Sequence, residues 1–292
     1  MLGRFGTDAG SLLGVEITSD SIRMLQLQRA RGCRRVLAWA LEPLVPAPGE
    51  TGDPLVAALR RAHRRCGSRQ RQVAVALPGS QVICKRCPMP AALPENEREA
   101  YLLAEAERLF PFPLEDLALD FQVIGPSPRQ PGALDVLVGA CRHSQFEPLL
   151  QQFDAAGLEV LAVEVDSLAL HRALPMGTQT VLQLEADGMT VHAWPEGSVA
   201  WRREQRGGGL CLDSLERWLA GVGNWRQGPL LIAGAAASAQ AAKAVVDRLG
   251  MACEVFQPLS GYDLRGVEDV TALSRAGSAF ALACGLALGD GR

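Results

Sequence analysis

The sequence predicts an α/β protein, and three patterns point to this class. Residues 12–27, LLGVEITSDSIRMLQL, indicate two apolar strands joined by a polar turn. An amphipathic helix that begins at Asp53-Pro54, with an N-cap and a proline in its first turn, precedes the apolar strand VAVAL at 73–77. Residues 229–256 indicate a strand–helix–strand unit. Strands that alternate with helices in this way are typical of sheets covered by helices.

The N-terminal region, residues 1–80, contains three predicted strands, a helix and a fourth strand. The helix carries Val56, Leu59 and Cys66 on one face and several arginines on the other. Thr18–Ser21 form the turn between the first two strands. Such residues make a good hairpin turn, and their hydroxyl and N–H groups can also hold a phosphate, so both interpretations stay open. The predicted strands span 12–17, 22–27, 36–41 and 73–77.

Residues 81–143 differ in composition because prolines interrupt them repeatedly. We predict an extended segment at 81–87 that Pro88 and Pro90 break, and a helix that begins at Pro94 and stops at Pro111. The segment Phe112-Pro113-Leu114 follows as an aromatic–proline turn, and two strands complete the region at 118–124 and 134–140. The predicted apolar stripe of the helix is Leu103, Ala106, Leu109 and Phe110.

The rest of the chain returns to alternating helices and strands. Asp166 is predicted to cap the helix that it begins. The predicted helices span 144–156, 166–174, 211–220, 238–249 and 277–288, and the predicted strands span 158–165, 181–185, 189–194, 198–202, 229–233 and 253–256.

Composition excludes several classes of function. The net charge is −3, from 29 basic and 32 acidic residues, which gives no general case for binding nucleic acid or anionic lipid. No apolar run approaches the roughly 20 residues that span a bilayer, and the first residues lack the apolar segment of a signal peptide. We therefore expect a cytoplasmic protein whose eight cysteines are reduced and serve mostly as small apolar side chains.

Two further patterns carry little functional weight. Cys84 and Cys87 form a lone CxxC in a strand, without the second ligand pair that a structural zinc site needs. The glycines at 207–209 lack the lysine and spacing of a phosphate-binding P-loop and indicate a turn. The four histidines lie in no catalytic signature, so the sequence predicts no enzyme of the Ser/His/Asp type.

Four segments together resemble the PilM family of type IV pilus assembly proteins, in the actin-like ATPase superfamily. A fifth and weaker match is ACGLAL at 283–288. The most specific segment is FPFPLEDLALDFQV, within the third of the four. The four segments that carry the resemblance are LLGVEITSDSIRMLQL at 12–27, VAVALPGSQVICKRCPMP at 73–90, AEAERLFPFPLEDLALDFQVIGPSPR at 104–129 and VEVDSLALHRAL at 163–174.

The resemblance implies an actin-like fold built from two ribonuclease H-like halves. The first part of subdomain 1A would span 1–80, an inserted 1C-type subdomain 81–143, and the second part of 1A 144–176. The second half, 2A, would span 177–292. Only about 20 residues separate the glycines at 207–209 from the strand at 229–233, so the 2B subdomain that covers the nucleotide in relatives is expected to be reduced or missing.

The family pattern also implies a nucleotide cleft, with ATP and Mg²⁺ as its cofactors, but this chain departs from that pattern. Glu16 stands where the first phosphate loop usually has Asp, and Thr18 where it has Gly. Glu185 is the nearest equivalent of the acidic residue in the second loop, and LIAGAAASAQ replaces a glycine-rich adenosine loop. If nucleotide binds, the resemblance assigns it to Glu16, Thr18, Ser19, Ser21, Gly188 and Gly234. We expect a degenerate member without catalysis; an ATP-binding ATPase is the alternative.

A last departure concerns metal binding. The stretch VEVDS resembles a VDVEA-type stretch of the family with Glu164 and Asp166 in swapped order. A metal-positioning role and a solvated strand end followed by a helix cap both stay open.

The resemblance further implies a scaffold in the inner-membrane assembly platform of type IV pili, which serve twitching motility or DNA uptake. A relative from type II secretion is another alternative. The implied partner is the N-terminal cytoplasmic tail of a PilN-like membrane protein, docked between 1A and 1C; the chain would meet the membrane only through this partner. Other platform proteins and a homo-oligomer are further implied contacts. The expected contact residues are Val82, Met89, Leu103, Glu105, Phe110, Phe112 and Leu114, with Glu107 as a second rim carboxylate.

Overall fold

The computed structural model describes residues 11–30, 33–46, 52–195, 199–222 and 228–289. These residues form two five-stranded sheets and one three-stranded sheet. Within these ranges, no helix is both long and apolar enough to cross a membrane. The first elements are β1 (Leu13–Ile17), β2 (Ser21–Ala30), β3 (Cys33–Pro43), α1 (Pro54–Cys66) and β4 (Gln72–Leu77).

The chain then enters the insertion and returns to the first half. The insertion contains β5 (Ile83–Pro90), α2 (Arg98–Leu109), β6 (Leu117–Pro126) and β7 (Ala133–Arg142). The first half ends with α3 (His143–Ala155), β8 (Glu159–Val165) and α4 (Asp166–Ala173). The second half contains β9 (Thr180–Glu185), β10 (Gly188–Ala193), β11 (Trp201–Arg206), α5 (Leu212–Ala220), β12 (Leu230–Ala233), α6 (Ala239–Leu249), β13 (Cys253–Val255), α7 (Val270–Arg275) and α8 (Ala281–Ala287).

The two large sheets have the same topology. Their strand orders are β3-β2-β1-β4-β8 and β11-β10-β9-β12-β13. In each sheet three strands form an antiparallel meander, and two more follow parallel to its first strand. The chain therefore consists of two halves whose sheets share one strand topology, as the resemblance implies.

Helix α1 shows how closely the local sequence specifies an element. The Asp53 side chain accepts hydrogen bonds from the Leu55 and Val56 amides, and Gly67 ends the helix in the left-handed conformation at φ 67°. Both features follow from ordinary capping chemistry. The predicted N-cap and proline start of this helix are confirmed.

The C-terminal helix α8 packs on the first half as well as on β9 and β12 of the sheet that precedes it. Ala283 and Ala287 share an apolar cluster with Leu25 and Leu27 of β2. A side chain at Gly14 would place its Cβ 2.2 Å from the Ala283 carbonyl oxygen, and one at Gly285 would lie 1.9 Å from the Ala169 carbonyl oxygen. Glycine is thus required where α8 crosses β1 and α4, which explains the ACGLAL segment.

Several predicted boundaries are corrected by the structure. The strand expected at 198–202 is β11, which begins at Trp201 and runs to Arg206; Ser198 lies outside the described residues. The helix expected from Pro94 begins with a 3₁₀ turn, and α2 itself starts at Arg98. The helix expected from Gly277 likewise begins with a 3₁₀ turn over Gly277–Phe280. The sequence analysis missed α7 because its six residues are too few for a periodic pattern.

The prolines of β5 do not break the strand. Pro88 and Pro90 both belong to it, and β5 pairs only with β7 at one edge of the small sheet, whose order is β5-β7-β6. An edge strand tolerates proline because half of its N–H groups need no partner in the sheet. One face of this sheet packs on α2 around the buried side chains of Met89, Phe110 and Val138.

Candidate functional site

A cavity of about 390 Å³ lies between the two halves. Its walls come from the end of β1, the β1–β2 turn, the β9–β10 turn and β11. Four of the residues that the resemblance assigns to nucleotide line it, and two do not. Those that line it are Glu16, Thr18, Ser19 and Gly188; the others are Ser21 and Gly234.

The β1–β2 turn uses most of its hydroxyl groups internally. Thr18 Oγ1 donates to Asp20 Oδ1 (2.8 Å) and accepts from the Ser21 amide (3.1 Å). Ser21 Oγ donates to the same Asp20 oxygen (2.8 Å). These hydroxyl donors hold the pKa of Asp20 below its ordinary value. The turn is therefore built as a stable hairpin, with exposed Ser19 beside the cavity.

The two assigned glycines are required by their own sheet. A Cβ at Gly188 would lie 2.3 Å from the Gln205 carbonyl oxygen of the neighbouring strand. Gly234 has φ +105°, and a Cβ there would lie 2.3 Å from the Leu184 carbonyl oxygen. Only glycine fits such close backbone approaches. Neither glycine therefore needs a bound ligand to explain it.

Arg23 lies between two carboxylates where the halves meet. It is 0% exposed, and its guanidinium donates to Glu185 from Nη1 (2.9 Å, to Oε1) and Nη2 (2.5 Å, to Oε2). Nη1 also lies 3.3 Å from Glu16 Oε2 and donates to the Ala279 carbonyl oxygen (3.1 Å). Such bidentate pairs are stronger and more directional than single hydrogen bonds. The pair joins β2 of the first half to the end of β9 in the second.

The strand registers bring this cluster together. Glu16 and Arg23 are direct partners in the β1–β2 pairing, so their side chains share one face of the sheet. Gln183 and Glu185 are two residues apart on β9 and share a face for the same reason. Gln183 Nε2 completes the cluster by donating to Glu16 Oε1 (2.9 Å).

In this cluster the positive charge of the Arg23 guanidinium lies beside the carboxyl groups of both Glu16 and Glu185. Burial raises the pKa of Glu16 from 4.5 to about 7; Arg23 lowers it in part and Glu185 raises it further. Burial alone would lower the pKa of Arg23, but the two carboxylates outweigh it and raise that pKa above its ordinary value. Glu185 holds the bidentate contact with Arg23, whereas Glu16 has a single contact with it.

Asp166 forms a second junction between the halves. Its Oδ2 accepts from Arg202 Nε of β11 (2.8 Å), and its Oδ1 accepts from the Gly79 amide at the root of the insertion (2.9 Å). Oδ1 also accepts from the Ser167 amide (2.6 Å). The N-cap of α4 is Val165, without a side-chain cap bond, so the predicted capping role of Asp166 is wrong. Glu164, the other acidic residue of the VEVDS stretch, pairs with Arg172.

The structure also brings together a serine, a histidine and an aspartate. Ser167 Oγ lies 2.8 Å from His192 Nδ1 and 3.2 Å from Asp166 Oδ1. His192 is 0% exposed, and burial lowers its pKa to about 4. The aspartate contacts the serine instead of the histidine, so the order of contacts differs from that of a catalytic triad. The Ser167–His192 hydrogen bond of this cluster links α4 to β10.

The cysteines and carboxylates do not suggest a metal site. Cys84 and Cys87 are three residues apart on β5 and therefore lie on opposite faces of the strand. Cys84 and Cys87 are both free thiols. Over the described ranges, no group of three or more His, Cys, Asp or Glu side chains is arranged to hold a metal ion.

The expected partner contacts do not form one surface. Met89 (0% exposed) and Phe110 (3%) belong to the core of the insertion, so the structure does not present them to a peptide. Leu103 (41%) and Leu114 (46%) are exposed. Leu102, not Leu103, faces the core from α2, which corrects the predicted stripe by one residue.

The remaining expected contacts are intermediate in exposure. Val82, Glu105 and Phe112 are half-buried, and Glu107 is exposed. Phe112 packs against the insertion core, with the Arg142 guanidinium 5.7 Å from its ring centre. A groove of about 270 Å³ lies between β5 and α2, and Glu105 lines it. The insertion thus offers a groove, which Tyr101 and Arg108 also line.

Comparison with known families decides the relationship. The family model described as type IV pilus assembly protein PilM matches residues 14–217, which is more than half of the chain. The chain belongs to the PilM family. The matched region contains the β1–β2 hairpin, the insertion, α4 and the β9–β10 turn.

Three solved structures share the fold. A PilM–PilN type IV pilus biogenesis complex matches with a TM-score of 0.70 at 21% identity, over 95% of this chain and 98% of that one. The ethanolamine utilization protein EutJ from Carboxydothermus hydrogenoformans gives 0.53 at 13% identity, over 96% and 89%. The cytoplasmic domain of EpsL, from the type II secretion system of Vibrio cholerae, gives 0.50 at 17% identity, over 95% and 94%. Together with the duplicated topology, these similarities establish an actin-like fold.

The residues that the sequence analysis missed are those that link the halves. Arg23, Arg202 and the Ser167–His192 pair were not predicted as site residues. Arg23 did carry a signal, because a charged residue in the apolar strand SIRMLQL is rarely buried without a partner. Its partner, Glu185, is 162 residues away, and no local pattern identifies it.

Proposed function

We propose that this chain is a non-catalytic, nucleotide-independent scaffold of the type IV pilus inner-membrane assembly platform. It works in the cytoplasm and binds the N-terminal tail of a PilN-like membrane protein, through which it is held at the inner membrane. Membership of the PilM family and the likeness to a solved PilM–PilN complex support this role. Contacts with other platform proteins and with a second copy of the chain belong to the same proposal.

The position of Arg23 is the main support for the proposal that the scaffold works without a bound nucleotide. The resemblance places Glu16 and Glu185 at the acidic positions of the two phosphate loops. Both carboxylates face the Arg23 guanidinium, at 3.3 and 2.5 Å. A Mg²⁺ ion prefers carboxylate oxygens and usually keeps several waters, so it would have to compete with a buried, bidentate internal cation.

The alternative, an ATP-binding ATPase, is favoured by one observation. The cavity of about 390 Å³ is present between the halves, and Thr18, Ser19 and Gly188 line it. Calorimetry with ATP and Mg²⁺ decides between the two. The proposed scaffold should show no binding tighter than about 1 mM, equivalent to about −4 kcal/mol. A micromolar dissociation constant would support the ATPase and exclude the scaffold as proposed.

The partner is tested by titrating a labelled tail peptide of the PilN-like protein against the full chain. Leu103→Ala and Leu114→Ala remove exposed apolar side chains of the insertion without opening its core. We expect at least one of them to weaken binding severalfold, since exposed apolar side chains at the centre of an interface carry much of its affinity.

Leu161→Ala is the matched control. This leucine is 44% exposed on β8, outside the insertion, and its truncation should leave the affinity unchanged. If neither insertion variant weakens binding while the control does, the tail binds the first half instead.

A further inference from the structure

Arg23 contacts three parts of the chain that are distant in sequence. It lies on β2 of the first half, pairs with Glu185 at the end of β9 in the second half, and donates to Ala279 in the segment that crosses back to the first half. Beside this point, the Gly234 amide donates to the Ser278 carbonyl oxygen (2.9 Å). Arg23 thus lies where β2, the end of β9 and the segment that precedes α8 meet.

The charges at this point require a cation. Glu16 comes from β1 of the first half and Glu185 from β9 of the second, and closing the halves brings both to the same guanidinium. Whenever Glu16 ionises, two carboxylates of like charge lie in a site that is largely shielded from water, and they repel each other. Arg23 does not line the cavity, whereas Glu16 and Glu185 do. The Arg23 guanidinium therefore contacts the two carboxyl groups from the protein interior, on the side that faces away from the cavity.

We infer that Arg23 is an internal clamp, a side chain that supplies the positive charge between the two halves and keeps them closed without any ligand. This inference rests on the proposed nucleotide-independent scaffold and adds to it the means by which the cleft stays closed. The Arg202–Asp166 pair and the Ser167–His192 hydrogen bond close the other side of the cleft. Arg23 is more deeply buried than Arg202, at 0% against 14% side-chain exposure.

The test measures amide hydrogen exchange in the full chain. Arg23→Met keeps a long side chain and removes the charge. We expect exchange at least tenfold faster in the two turns that border the cleft, the β1–β2 turn and the β9–β10 turn, within residues 13–22 and 179–190. Exchange in α1 and in α6, which belong to the cores of the two halves, should stay within twofold of wild type, because opening a cleft does not unfold either half.

Arg61→Met is the matched control. Arg61 pairs with Glu42 at 2.8 Å, with 16% and 13% side-chain exposure, but both residues lie within the first half. Its loss should not speed exchange at 179–190. If Arg23→Met leaves both reporter segments at the wild-type rate, or if Arg61→Met speeds them equally, Arg23 is an ordinary buried ion pair and the inference fails.

A second variant keeps the test decisive if Arg23→Met does not fold. Glu185→Gln preserves the shape of the partner and removes its charge, and it should speed exchange severalfold in the same two segments; Glu42→Gln is its control. Unchanged exchange in Glu185→Gln would overturn the inference. Calorimetry with ATP separates this outcome from failure of the proposed function. Micromolar ATP binding by wild type contradicts the scaffold, whereas unchanged exchange without ATP binding contradicts the clamp alone.

Discussion

Glu16→Gln should stabilise the protein at alkaline pH and leave it nearly unchanged at acidic pH. Burial raises the pKa of Glu16 from 4.5 to about 7, so the folded chain binds a proton there that the unfolded chain releases. Stability due to this group is present below about pH 4.5 and is lost as the pH rises towards and through 7. At about 1.4 kcal/mol for each pKa unit, the loss reaches about 3 kcal/mol by about pH 8. Glutamine resembles the protonated carboxyl group and avoids that loss.

The difference between variant and wild type is the quantity to measure, because His192 titrates in the opposite sense. Burial lowers its pKa from 6.5 to about 4, so its contribution to stability rises with pH over that interval and partly masks the decline due to Glu16. Subtracting the free energy of unfolding of wild type from that of Glu16→Gln cancels the histidine. We expect this difference to grow from near zero at about pH 4 to about 3 kcal/mol at about pH 8.

Urea unfolding at a series of pH values, followed by tryptophan fluorescence, gives this difference. Glu42→Gln is the control, since it removes a carboxylate that pairs with Arg61 away from the cluster; it should not reproduce the rise. A difference that stays flat with pH, or one that falls, would refute the argument that burial keeps Glu16 protonated near neutrality.

Three further predictions test the packing, the insertion and the cysteines. Gly285→Ala, whose Cβ would lie 1.9 Å from a carbonyl oxygen of α4, should lower the free energy of unfolding by about 3 kcal/mol in urea titrations; Gly209→Ala, in open space, should not change it measurably. Phe112→Ala should weaken binding of the partner tail more than tenfold while the first half stays folded by circular dichroism; unchanged affinity with a lower melting temperature would assign Phe112 to the insertion core alone. Replacing Cys84 and Cys87 together by serine should preserve the fold and activity within ordinary packing losses, and loss of stoichiometric zinc on metal analysis would contradict this.

The local sequence determined most of the secondary structure. The β1–β2 hairpin, α1 with its Asp53 cap, and the βαβ unit of the second half all follow from apolar periodicity and capping chemistry. These signals act between residues that are close in sequence, so they can be recognised without knowledge of the tertiary structure. The boundaries that failed, at β11 and at the start of α2, lie where charged strand residues or 3₁₀ turns weaken the periodic pattern.

The motifs also predicted the family, which the family model over residues 14–217 confirms, because the hairpin, the FPFPLEDLALDFQV segment and VEVDS resemble family segments and follow one another in the family order. They predicted Glu16 and Glu185 at the acidic positions of the two loops. They could not show what those carboxylates contact, since the answer depends on the closure of one half against the other.

Only the tertiary structure decided how the cleft is held. Glu16 and Arg23 are close in sequence, but Glu185 reaches them only when the end of β9 meets the first half, and Ala279 only when the segment before α8 crosses back. The same holds for Gly14 and Gly285, whose missing side chains make room for that crossing. Hydrogen bonds and packing contacts between distant segments leave no periodic trace in a sequence, because each partner satisfies its own local pattern whether or not the other is present.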